Sequence, residues 1–362
     1  MRILLSETWS SHIYAEPFYD RFKELGVDVH GFKEGAFFRV DNVRWPVRAP
    51  VALLRRAEAR YRLGPSFRAM NIALAREAKA LRVDAVFVFR GDSILPDTIA
   101  DLKAMGVHVL GWNNDDPFSH RAPRHRWRHF LRSIPLYDRL WAYREANATE
   151  YRARGCRRSG LLRSFYLRDL NYPIDDVRSS PYRAQVSFIG HWEDDGRDTF
   201  VEALLNQPNL DFRLWGTLWE RSRLRRRLQR NFGTIQPVYR EDYNLAINSA
   251  QIALAFLSKL NNDTYTRRCF EIPVTGTMML SEYTPDLATL FKEGEEAEFF
   301  RDTEELVDKV RYYVRDEHSR LTIGAAGRRR VLREGHEALD RAKLVLETMR
   351  GDIEQLGKGT GP

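Results

Sequence analysis

Residues 252–282 read IALAFLSKLNNDTYTRRCFEIPVTGTMMLSE. IALAFL (252–257) is a short, continuous apolar run, the pattern of a strand buried on both faces. TMMLSE (277–282) is a second such run. Between them, NNDTYTRRCFEIP is predicted to open a helix, with Asp263 or Thr264 as its cap. Pro273 then ends or kinks that helix, and the VTG that follows turns the chain into the next strand. Two buried strands joined through a helix predict parallel pairing, because a parallel connection needs a crossover of this length.

The same rhythm runs outward in both directions. Upstream, RILLS (2–6), VDVHGF (27–32), VDAVFVF (83–89), VHVLGW (107–112) and DRLWAY (138–143) read as strands. Helical patterns fall between them, including an Arg/Ala/Leu-rich stretch at 50–81 broken near Gly64-Pro65. SFYLRDLNYPIDDVRSSPY (164–182) has no period and is rich in Pro, Asp and Ser, which reads as a linker. A second block follows, with strands at 185–190, 211–216, 233–238, 252–257 and 277–282, and helices dominate from Thr303 to Leu356. The expected fold class is α/β, with two tandem Rossmann-like, doubly wound domains and a cleft between them. The expected boundaries are an N-terminal acceptor domain at 1–165, a linker at 166–182 and a C-terminal donor domain at 183–335. Residues 336–362 are expected to form a helix and tail packing back toward the N-terminal domain. The chain's 362 residues suit two cores better than one.

Ligands of open α/β sheets bind outside the carboxyl ends of the strands, so loops after strands are the places to search. After IALAFL, a helix start would offer free N–H groups to an anion. Arg267 or Arg268 would add a full charge, with the amides from Thr264 to Thr266 alongside. Glu271 could accept hydrogen bonds from a ribose diol, and Gly276 would let backbone come close to a ligand. A blander reading stays open: Asp263 as a helix cap only, and Arg267 with Glu271 as an i,i+4 surface pair worth about 0.3–0.5 kcal/mol. In the first half, GWNNDDPFSH (111–120) follows a buried strand. Asp115 and Asp116 are candidates there for deprotonating an acceptor hydroxyl, although carboxylates before proline also build turns. Asp92, Glu7 and His12 follow other strands and are lesser candidates. The first strand–helix loop has no G-x-G-x-x-G, which argues against a dinucleotide-binding oxidoreductase.

TRRCFEIPVTGTMMLSEYTPDLATLFKEGEEAEFF (266–300) resembles the donor segment of GT-B glycosyltransferases, and more narrowly that of the CgeB, or spore-maturation-protein-like, family. The pattern is an arginine (Arg267 or Arg268), Phe270-Glu271, a turn with Gly276, an apolar strand, and Phe291 to Glu295 ahead of Phe299-Phe300. Residues 83–118 resemble that family's first domain. VSFIGHWEDDGRDTFVEALL (186–205) resembles the start of its second. The resemblance implies transfer of a sugar from a UDP-, GDP- or dTDP-linked donor to a hydroxyl of a glycan, lipid-linked glycan or cell-surface polysaccharide. It implies no cofactor and no metal, with the leaving diphosphate compensated by cationic side chains and amides. Gly190, His191, Trp192 and Arg197 would line the donor pocket. Asp263 and Glu271 hold the acid-x7-Glu spacing of retaining GT-B enzymes, with Asp where Glu is usual. Asp115, Asp116 and Asp263 are therefore the catalytic candidates.

Three rivals stand beside this reading. A metal-dependent GT-A-type transferase could use NNDD (113–116) or EDD (193–195). A GT-B relic could bind a nucleotide or glycan without turnover. A nucleic-acid binder would rest on the charge of +8 alone, since no zinc-finger spacing or RNP-type aromatic signature occurs. That charge is concentrated in RAPRHRWRHFLR (121–132), with five arginines and two histidines, and RSRLRRRLQR (221–230), with six arginines. Such patches attract phosphates or anionic lipid headgroups, and the first is expected to hold the protein at an anionic membrane. The N-terminus lacks a signal-peptide core and no apolar run reaches about 18 residues. Two cysteines in unrelated contexts suit a reducing compartment. The expected location is the cytoplasm, peripheral at the inner face of the membrane.

Overall fold

A computed structural model describes residues 1–8, 13–41 and 46–358. The chain forms two units, one of residues 1–163 with 338–362 and one of residues 164–337. Among the described residues, no helix is long and apolar enough to cross a membrane.

The first unit runs β1 (Arg2–Glu7), α1 (Ala15–Glu24), β2 (Asp28–Lys33), α2 (Arg48–Tyr61), α3 (Pro65–Leu81), β3 (Ala85–Phe89), α4 (Pro96–Ala104), β4 (His108–Asn113), α5 (Arg124–Ser133), β5 (Arg139–Ala142), α6 (Glu145–Ala153) and β6 (Ser159–Leu161). All six strands are parallel, in the order β2-β1-β3-β4-β5-β6. Alternation along β3 divides the core. Phe87 and Phe89 meet Phe18 of α1 and, through Phe89, Trp112 of β4. Val86 and Val88 pack on the other side with Leu74 of α3 and Leu102 of α4. Period-two side chains therefore bury both faces of this strand.

The second unit runs β7 (Ala184–Ile189), α7 (Arg197–Leu205), β8 (Phe212–Trp215), α8 (Arg225–Phe232), α9 (Arg240–Asn248), β9 (Ala250–Ala255), α10 (Arg268–Val274), β10 (Met278–Glu282), α11 (Pro285–Leu290), β11 (Glu298–Phe300), α12 (Thr303–Arg315) and α13 (Glu317–Arg333). Its five strands are parallel in the order β11-β10-β9-β7-β8. The chain then returns as α14 (Ala338–Lys358), which packs on α1 in the first unit. Arg139 of β5 holds this helix through two bonds to Asp352, at 2.6 and 2.9 Å.

Three local readings need correction. Residues 233–238 form no strand. Pro237 has no N–H to give, and the Gln236 carbonyl is taken up by Gly216 N at 3.1 Å. β6 and β11 are strands that the apolar runs did not reveal, because each has three residues at a sheet edge. The stretch 166–182 belongs to the second unit and is stitched to α9. Tyr172 N and Ile174 N donate to the Oδ1 atoms of Asn244 and Asn248 at 3.3 and 2.8 Å.

Candidate functional site

In the second unit the order of strand addition reverses between β7 and β9, which are neighbours although β8 lies between them in sequence. Loops leaving a reversal point diverge and leave a crevice at the strand ends. Here the loops are residues 190–196 and 256–267, and they carry most of the donor-site candidates.

Gly190 ends β7 in a space that admits no side chain. A Cβ there would lie 2.6 Å from Phe188 Cζ and 2.7 Å from Arg268 Nη2. Gly216 backs the same point, since its own Cβ would lie 1.9 Å from the Gly190 carbonyl oxygen. The Trp219 indole donates to that oxygen at 2.9 Å. Arg268 thus reaches back across the end of β7, donating from Nε to the Ile189 carbonyl at 2.6 Å. Its guanidinium is half-buried, stands 5.6 Å from the Phe188 ring, and makes no ion pair among the described residues. A partly desolvated cation with no counter-charge at a sheet reversal is a place for an anion.

Its neighbour behaves differently. Arg267 is buried, and its Nε donates to Glu271 Oε1 in an i,i+4 pair that is itself buried. Glu271 Oε2 accepts from the Tyr243 hydroxyl at 2.7 Å. The expected surface pair is real in its partners but lies inside, and both Glu271 oxygens are engaged. Burial pushes the Tyr243 hydroxyl well above the usual tyrosine range, and the charge of Glu271 adds to this.

The expected helix start lies elsewhere. α10 begins at Arg268, has seven residues and no side-chain cap, so Asp263 and Thr264 do not cap it. Residues 258–267 instead fold as turns, with Asp263 N bonded to Ser258 O at 2.9 Å and Asn262 at φ +48°. Asp263 accepts from Asn261 Nδ2 at 3.3 Å, and Thr264 donates to Asp286 at 2.7 Å. Thr266 takes part through its carbonyl, bonded by Cys269 N at 2.9 Å, and through Oγ1, 3.5 Å from Arg268. Gly276, at φ +87°, is the left-handed turn that ends α10, and its carbonyl is backed by Gly324 of α13. Those constraints give it a folding role.

In the facing loop, Arg197 is buried and neutralised. It bonds Asp195 at 2.6 and 2.8 Å, and Glu193 lies 3.3 Å away. Asp195, of the EDD run, is thus bound to an arginine. His191 is exposed and lies 2.6 Å from Glu193 Oε1. Burial alone would raise the Glu193 carboxyl, but bonds from His191 and Ser258 and the charge of Arg197 outweigh it and hold it at about 2. The Ser258 bond ties the two loops together. Trp192 lies partly buried and donates to Asp198 at 3.1 Å. Sequence reasoning missed Lys259, which follows β9, is exposed, and lies 3.5 Å from Glu282. A lysine in a loop carries no signal of its own.

The first unit has a charged cluster of its own at the strand ends. Asp92 is buried and accepts from Arg62 at 2.7 Å and Arg126 at 2.8 Å. Burial raises its carboxyl, but Arg62, Arg90 and Arg126 together bring it down to about 2. Asp115 pairs with Arg90 at 2.6 Å. Asp116 builds its turn, accepting from Phe118 N at 3.0 Å and Asn147 Nδ2 at 2.8 Å. Glu7 receives Thr8 Oγ1 at 3.0 Å, and His12 lies outside the described residues. Glu34, unnoticed in the sequence, is fully enclosed, bonded by Ser6 and Ser93, and burial pushes its carboxyl up to about 7. Part of the basic run 121–132 also turns inward. Besides Arg126, Arg128 donates to the carbonyls of Tyr61 and Arg62 at 2.7 and 2.8 Å.

Residues 197–347 match a family described as glycosyl transferase-like. No curated protein matches the sequence. Solved structures do. A sucrose-phosphate synthase from Thermosynechococcus elongatus superposes with a TM-score of 0.73 at 13% identity, covering 99% of this chain and 100% of that one. Anabaena HepE in complex with UDP-glucose gives 0.67 at 12%, covering 97% and 100%. The α,α-trehalose 6-phosphate synthase of Burkholderia multivorans gives 0.63 at 12%, covering 100% and 98%. The fold is that of the GT-B glycosyltransferases, which removes the GT-A reading of NNDD and EDD. With a glycosyl transferase-like domain over residues 197–347 on a GT-B scaffold, the chain is an enzyme of the transferase class.

Proposed function

We propose that the protein transfers a sugar from a nucleoside diphosphate sugar to a hydroxyl of a glycan or lipid-linked glycan, without a bound metal. The observation that carries this reading is Arg268, a half-buried guanidinium with no ion pair among the described residues, fixed over the end of β7 where Gly190 leaves room. Cleaving a glycosyl diphosphate builds charge on the departing phosphate, and a prepositioned cation in a partly dry crevice lowers that barrier. Arg268 is assigned this role, with Lys259, on the loop between β9 and α10, as a second cation. Arg267 and Glu271 hold the loop's shape from within, and Glu271 keeps lone pairs for a ribose hydroxyl. His191 and Trp192 line the pocket, with Asp263 beside the sugar. Asp115 is assigned as the acceptor base in preference to Asp116, whose carboxylate is spent on the turn. The CgeB-like subfamily supplies the expectation of a cell-surface glycan as acceptor.

A thermal-shift panel with UDP, GDP, dTDP and their sugars tests the donor. A ligand at about 100 times its Kd adds about 2.7 kcal/mol of stability. The expected result is a shift with one nucleotide diphosphate that survives EDTA and is lost in Arg268→Ala. Shifts that need a divalent cation, or persist in Arg268→Ala, refute the assignment.

A further inference from the structure

α2 is built unlike the other helices of the first unit. Its one fully buried side chain is Glu58, while Leu53 and Leu54 are 71% and 56% exposed. Leu53, Ala57 and Tyr61 fall at i, i+4 and i+8, so they share a face. Tyr61 and, beyond the helix, Leu63 are exposed as well. Arg56 and Arg60, also four apart, run along the edge of this apolar stripe, and Arg48 stands at the helix start. None of these three arginines makes an ion pair among the described residues. Glu58 is the single acid between residues 46 and 64, and it faces inward, 3.3 Å from Ser66 N.

α5 extends the same surface. The His125 ring lies 5.3 Å from the Tyr61 ring, and Arg128 binds the carbonyls at the end of α2. Arg124 and Arg132 of α5 are exposed. The combined face is apolar at its centre and cationic at its margin, with no exposed acid on either helix. Water is a poor solvent for such a stripe, and nucleic acid would reward the arginines but leave the leucines wet. An interface of acidic headgroups over acyl chain satisfies both.

We propose that α2, with the neighbouring arginines of α5, seats the protein on the surface of an anionic lipid bilayer. The apolar stripe enters the headgroup boundary and the arginines meet the lipid phosphates. This surface belongs to the first unit and is independent of the donor assignment. It also differs from the basic run 221–230, whose helix α8 has no exposed apolar residue.

The test is co-sedimentation of the full chain with vesicles of phosphatidylcholine alone or mixed with phosphatidylglycerol, with no nucleotide present. Wild type is expected to pellet with the anionic vesicles and to be released as salt rises. Leu53→Ser with Leu54→Ser, and separately Arg56→Glu with Arg60→Glu, are expected to weaken binding by about tenfold or more. Both pairs are exposed, and circular dichroism confirms the fold. Arg226→Glu with Arg230→Glu on α8 is expected to bind as wild type does. Failure of wild type to pellet, or equal binding by the Leu53/Leu54 variant, overturns the proposal. So does sedimentation velocity showing a dimer that this variant dissolves while vesicle binding stays unchanged, because a second copy would then cover the face.

Discussion

Replacing Glu34 by glutamine changes the pH dependence of stability in a direction the structure fixes. The Glu34 carboxyl is 2% exposed and its oxygens accept from Ser6 Oγ at 2.8 Å and Ser93 Oγ at 2.5 Å. Burial raises it from 4.5 to about 7, against the lowering effect of the two serine bonds. Between these values the folded chain keeps the proton and the unfolded chain has released it. Stability therefore falls as pH rises through this window, and the loss is complete above about 7. At about 1.4 kcal/mol per unit, the full loss is roughly 3 kcal/mol. Below the unfolded value both states are protonated and the group contributes nothing. Glu34→Gln removes the ionisation while keeping an acceptor for one serine and a donor for the other. The assay is thermal unfolding of both proteins from about pH 4 to pH 8, reading the difference in Tm. Near pH 4 the variant is expected to match or fall slightly below wild type. Near pH 8 it is expected to lead by several degrees. A difference that stays flat across the range refutes the buried, protonated carboxyl.

Three further substitutions probe the rest of the framework. Gly216→Ala drives a Cβ to 1.9 Å from the Gly190 carbonyl oxygen at a φ of +145°, and is expected to cost at least about 1–3 kcal/mol, read as a lowered Tm. Glu271→Gln removes the negative charge from a buried ion pair with Arg267 and is expected to cost about 3–5 kcal/mol by urea unfolding, before any effect on donor binding is considered. Asp352→Ala strips Arg139 of its buried partner on α14 and is expected to destabilise the first unit by a similar amount, seen as loss of amide-exchange protection in α14 and α1.

How much of this could be read in advance follows from what each residue does locally. β3, β4, β7 and β9 are continuous apolar runs because both their faces are covered, and such runs are visible without a partner. β6 and β11 are too short to have a period, and Ile235 to Val238 imitated a strand that Pro237 forbids. The site was legible as a stretch and not as individual roles. Arg267 and Arg268 are adjacent in sequence, but about 100° apart around a helix. One turns in to Glu271 and the other out over β7, and only packing decides which. Thr264 looked like a cap until the turn at Asn262 delayed the helix. Glu34 gave no sign, since a glutamate at a strand end is ordinarily solvated. Its enclosure comes from serines 28 and 59 residues away.

The proposed transfer requires the second unit to hold a nucleotide diphosphate against Arg268. A crystal of the protein soaked with the nucleotide selected by thermal shift tests it directly. The diphosphate is expected within about 3 Å of the Arg268 guanidinium and beside the Gly190 backbone. A diphosphate lodged on the arginines of the first unit, or anywhere that leaves Arg268 without a contact, would rule out this role for Arg268.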